Sequence, residues 1–72
     1  MNKRKMNKVF ESLKNGDAIK RLGSLSCLAE ARETFLGIAK NKSGFAVSYQ
    51  VALFFKKEGF SVVKHGIGFK IF

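Results

Sequence analysis

The sequence predicts an α+β fold: three N-terminal helices packed on a three-stranded antiparallel β-meander. Three observations predict it. Apolar residues recur at helical spacing as far as residue 41, they alternate from Phe45 onward, and the apolar content of 46%, with eight Phe, suffices for a packed core rather than a disordered chain. A chain of 72 residues allows a single domain, 1–72. A domain of that length buries only about 60% of the surface its unfolded chain exposes. A homodimer is therefore a natural source of extra stability.

The elements follow in order. Residues 1–5 read as a basic, flexible N-terminal arm. Met6, Val9, Phe10 and Leu13 fall at i, i+3, i+4 and i+7, and Asn15-Gly16 follows at once, which predicts helix 1 over 3–14. Asp17 is a candidate cap for the next helix. Ile19, Leu22, Leu25 and Leu28 recur every three residues, giving a short helix 2 over 20–27 with Gly23 weakening its middle. Leu28, Ala31, Phe35, Ile38 and Ala39 make the stripe of helix 3 over 28–41. Glu30 and Glu33 fall in its first turn and Lys40 and Lys42 at its end, as the helix dipole favours.

Phe45, Val47, Tyr49, Val51, Leu53 and Phe55 then stand at period two, with Ala46, Ser48, Gln50 and Ala52 between them. The residue types favour a strand, and only Phe54 breaks the alternation. A helical template on Val47, Val51, Phe54, Phe55 and Glu58 competes, but it leaves Tyr49 and Leu53 facing away from the core. "KKEG", Lys56 to Gly59, reads as a turn. Phe60 to Lys64 and Ile67 to Ile71 read as two strands joined at His65-Gly66, with Val62 opposite Phe69 and Phe60 opposite Ile71.

Residues for chemistry are few. There is one His and one Cys, without HxxxH or CxxC spacing, so no metal, cofactor or catalytic site is expected. Cys27 reads as a small buried hydrophobe, and a lone Cys fits a reducing, cytoplasmic compartment. No apolar run approaches the ~18 residues of a membrane span. Glu30 and Glu33 read as a dipole pair, not as an acid–base pair. "GIG", Gly66 to Gly68, lies in a hairpin rather than between strand and helix, so it is no phosphate loop.

The charge is the informative feature. Fourteen Lys and Arg stand against five Asp and Glu, a net charge of +9, which favours polyanionic partners. The cations cluster as Lys3, Arg4, Lys5 and Lys8; Lys20 and Arg21; Lys40 and Lys42; and Lys56 and Lys57. Clusters at element ends suit a fold that touches a phosphate backbone at several points.

Two segments carry a resemblance. "NKVFESLKNGDAIKRLGSL", Asn7 to Leu25, followed by "ARETFLGIAKNKSGFAV", resembles small phage-type winged helix-turn-helix proteins. In this register helix 3 is the recognition helix, and the remaining residues from Gly44 form a long wing. "FFKKEGFSVVKHGIGFKI", Phe54 to Ile71, is similar to the helix end and wing of biotin-repressor-like winged helices, which makes residues 45–58 the recognition helix. The alternation favours the first register. The resemblance implies a small winged-helix DNA-binding protein, a phage or mobile-element transcriptional regulator, and not an enzyme. Arg32 would read a base edge. Lys20, Arg21, Lys40 and Lys42 would hold phosphates of double-stranded DNA, Lys56 and Lys57 would act from the wing, and Lys3, Arg4 and Lys5 would add attraction from the arm. Glu30 and Glu33 count against this register, because carboxylates at a recognition helix's start repel phosphates.

Two alternatives stand beside it. Phe54 and Phe72, off the main apolar face, suit a protein that binds and inhibits an acidic host protein. "GFSVVKHG" resembles the strand region of HicA-type mRNA interferase toxins, which implies RNA as the partner and His65 as the proton-transfer group.

Overall fold

Amphipathic periodicity builds the first half of the molecule. The computed structural model describes residues 3–72. Helix α1 (Lys3–Asn15) buries Val9 and Leu13, as its stripe predicts. The expected arm does not hold within the described residues: Lys3, Arg4 and Lys5 form the first turn of α1, and residues 1 and 2 lie outside them. Lys5 is anchored, its ammonium donating to the Gly59 carbonyl at 2.7 Å and lying 5.0 Å from the centroid of the Phe60 ring.

The boundary between the next two helices lies four residues earlier than predicted. Helix α2 is a single turn (Ile19–Leu22), entered through Ala18 rather than through an Asp17 cap, and closed by Gly23, whose N–H donates to the Ile19 carbonyl. Ser24 is extended and its hydroxyl accepts from the Cys27 N–H at 3.1 Å. A serine in that role starts a helix, so α3 runs from Leu25 to Asn41 and Cys27 belongs to its first turn. Cys27 is half-buried beside the core. Glu30 and Glu33 therefore leave the first turn.

The fold class holds: helices and a three-stranded antiparallel sheet, in an arrangement compatible with a winged helix. Within it, the long strand expected from Phe45 is corrected. Strand β1 is only Gly44–Ala46, and Tyr49–Lys57 form a fourth helix, α4. Strands β2 (Val62–His65) and β3 (Gly68–Ile71) follow. The strand order is β1-β3-β2, with both pairings antiparallel, so the sheet is not a sequential meander. β1 and β2 run parallel, joined by α4, and β3 returns between them. A parallel pair needs such a crossover, and the helix supplies it.

Residues 49–57 are helical despite their alternation, and Glu30 fixes the chain just ahead of them. Its carboxylate accepts from the Val47 N–H at 2.9 Å and the Ser48 N–H at 3.3 Å, at the entry to α4. Lys56 and Lys57 occupy the last turn, where cations are favoured. The buried face is Val51, Ala52, Phe54 and Phe55, nearly the competing helical template.

The hairpin register is also shifted by two. Val62 faces Ile71, Lys64 faces Phe69 and His65 faces Gly68, which leaves Gly66 and Ile67 as the loop. Gly66 has φ +60°, and a two-residue turn with positive φ at its first position wants Gly there. Phe60 falls outside β2 and enters the core, edge-on to Phe55 at 5.4 Å; Phe55 in turn meets Phe54 edge-on at 5.2 Å. These rings join Val9, Leu13, Leu22, Leu28, Ala31, Ile38 and Ile71 in one buried cluster. Phe54 is thus a core residue and not an aromatic on a second strand face.

Candidate nucleic-acid interface

The side of α4 opposite its buried face is an exposed ridge. Tyr49, Gln50, Leu53, Lys56 and Lys57 fall at i, i+1, i+4, i+7 and i+8, one face of a helix. Tyr49 is 63% exposed, the outward placement that the helical template requires. A shallow groove runs along each side of the ridge, and Leu53 lines both.

Between α4 and the hairpin the groove holds about 200 Å³, lined by Tyr49, Ala52, Leu53, Lys56, Val62, Lys64 and Phe69. Tyr49 and Phe69 lie 6.3 Å apart by ring centroid, and the Lys64 ammonium sits 4.9 Å from the Phe69 centroid. Between α4 and α2 the groove holds about 130 Å³, lined by Arg21, Gln50, Leu53, Phe54 and Lys57. The Arg21 guanidinium lies 4.5 Å from the Phe54 centroid and pairs with Glu58 at 3.3 Å. Lys8 reaches the other Glu58 oxygen at 3.7 Å. Glu58 thus orients Arg21 from below, its own side chain only 5% exposed. Among the described residues, no carboxylate lines either groove.

The sequence-derived residues are redistributed by this geometry. Arg21, Lys56 and Lys57 come together at α4, with Lys20 exposed beside Arg21 on α2. Lys56 and Lys57 lie on a helix and not at a wing tip; the tip is Gly66-Ile67, where Ile67 is 85% exposed. Arg32 is elsewhere. Its Nε and Nη2 donate to the Leu13 carbonyl at 3.2 and 2.8 Å, which ties α3 to the end of α1. A guanidinium held there caps the end of α1, away from the α4 ridge and outside both of its grooves. Lys40 and Lys42 lie exposed at the end of α3, Lys42 in the left-handed cap position, outside both grooves. Lys3 and Arg4 are exposed on α1.

Tyr49, Gln50, Lys64 and Phe69 enter the site without having been singled out from the sequence. The signal that finds them is the competing helical template, since the face opposite Val51, Phe54 and Phe55 is the ridge itself. From Phe54 on, the chain runs helix, Gly59, strand, glycine-containing turn and strand.

His65 is exposed at the end of β2, edge-on to Phe45 at 6.2 Å. Among the described residues, no group of three or more His, Cys, Asp or Glu is placed to hold a metal ion, and no helix is long and apolar enough to cross a membrane. The chain matches no model of a known protein family, no curated protein and no solved structure.

Proposed function

We propose that the protein binds duplex DNA by laying the α4 ridge in a groove, with the β2–β3 hairpin as a wing, and that it acts as a small transcriptional regulator. The observation that carries this reading is the pair of carboxylate-free, cation-lined grooves flanking one exposed helix face. A nine-residue helix is about 14 Å long, which suits a major groove about 12 Å wide. Gln50 at the ridge's centre is the base-reading candidate, since a carboxamide can pair bidentately with adenine. Lys20, Arg21, Lys56, Lys57 and Lys64 would hold phosphates. The Glu30 carboxylate stands just ahead of the α4 N-terminus, on the Val47 and Ser48 amides, so the contacts are assigned to side chains along the ridge.

Fluorescence anisotropy on a duplex across a salt series tests this. Five neutralised phosphates give a slope of log K on log[salt] of about −4 to −5. The double variant Lys56→Ala/Lys57→Ala should flatten that slope by about two. Binding that ignores salt, or a double variant with unchanged slope, rejects the proposal.

A protein partner is the second reading. An apolar groove of about 360 Å³ between α1 and α3, lined by Phe10, Leu13, Lys14, Arg32, Phe35 and Leu36, favours it. Recovery of one stoichiometric protein without nucleic acid in a pull-down would favour this reading over the first.

A further inference from the structure

The sheet has a second face, turned away from α4. The pairing register puts Phe45, Val63, His65, Gly68 and Lys70 on it, and mutual backbone hydrogen bonds between Ser61 and Phe72 extend it by one pair. Phe45 and Phe72 are each 46% exposed. Phe45 lies across the middle strand: a Cβ on Gly68 would run into the Ala46 carbonyl oxygen and fall 2.6 Å from the ζ carbon of the Phe45 ring, so the ring rests over a position that holds no side chain. His65 meets the ring edge-on at 81°. The Lys70 ammonium lies 5.8 Å from the Phe72 centroid. Beside the Phe45 ring opens a shallow depression of about 390 Å³, lined by Gly37, Ser43, Gly44, Phe45, His65 and Lys70.

We infer that this face binds the unpaired nucleotides of a single nucleic-acid strand, one base stacking on Phe45 and a neighbouring phosphate resting on Lys70. Charge selects the occupant. Lys70 stands in the middle strand, no carboxylate lies on this face or lines the depression among the described residues, and the chain carries +9. A second copy is disfavoured, because it would set two equally cationic chains against each other. A polyanion with flat apolar faces fits both the charge and the rings, since every base offers a π-face to an aromatic side chain. The Phe45 ring is already held by Gly68 and His65, so little ordering is needed on binding. The surface is distinct from the α4 ridge and takes a different form of nucleic acid.

The test uses the full chain with short fluorescein-labelled oligothymidylate and oligouridylate, and a duplex as reference. Phe45→Leu keeps an apolar side chain and removes the ring; an unchanged thermal melt establishes that it folds. Phe45→Leu should weaken single-strand binding about tenfold, the effect of losing one stacked base, and leave duplex affinity unchanged. Phe45→Tyr, which keeps a ring, should bind single strands as the wild type does. Phe45-dependent binding of either oligonucleotide supports the inference. The inference is overturned if the wild type binds neither strand, if Phe45→Leu binds both as well as the wild type does, or if it loses duplex and single strand equally. Failure here leaves the Lys56/Lys57 salt test standing, so the two claims fail separately.

Discussion

Arg32 donates twice to one carbonyl, and this decides what its loss should do. Leu13 is in the last turn of α1, where backbone carbonyls lack helical partners. Arg32→Ala removes both donors from that carbonyl. A hydrogen bond to a charged group contributes about 1.5–3 kcal/mol, and the exposure of Arg32 lowers this to about 1 kcal/mol. Urea denaturation should register that loss, while duplex affinity stays at the wild-type value. A large loss of affinity with stability unchanged would restore Arg32 as a base reader. In the sequence, an Arg near a helix start reads equally as contact or cap. What separates the two is a carbonyl nineteen positions away, which no local pattern encodes.

The element that most departs from its sequence pattern is α4. Every second residue from Phe45 to Phe55 is apolar, yet Ala52 and Phe54 between them are also buried, and small or unbranched neighbours let the same letters serve a helix. Glu30 tips the balance by satisfying two amides at the helix entry. Glu30→Ala should therefore destabilise the protein by about 1 kcal/mol, the loss of two hydrogen bonds to a partly exposed carboxylate, and reduce the helical circular dichroism. Glu30→Gln, which keeps one acceptor, should lose less. If Glu30→Ala is as stable as the wild type, these two hydrogen bonds are not what selects helix over strand. By contrast, α1 and most of α3 were legible, because their stripes are long and their apolar faces match one core. The two hairpin strands were legible as strands. Their register was not, since a shift of two keeps every side chain on the same face and only the turn residue Gly66 distinguishes the alternatives.

Across the whole molecule, a small core supports a high charge. Phe55 is fully buried and edge-on to both Phe54 and Phe60. Phe55→Ala should cost about 3–5 kcal/mol, a large part of what so short a domain commands. A thermal melt should show a mostly unfolded chain; a cooperative transition near the wild-type temperature would contradict this account of the core. Composition made the cationic character legible, but not the grouping of cations. Arg21 and Lys64 are far apart in sequence and reach the two sides of α4 only because α2 and the hairpin flank it. On the proposed function, this assembled face takes duplex DNA. The most direct test of that claim is a titration of the isotope-labelled protein with duplex DNA, followed by backbone amide NMR. The account predicts shifts concentrated at Gln50, Leu53, Lys56 and Lys57, at Arg21 on α2 and at Lys64 on β2, all reversed by added salt. Shifts confined to Lys40, Lys42 and the end of α3, or no shifts at all, would contradict it.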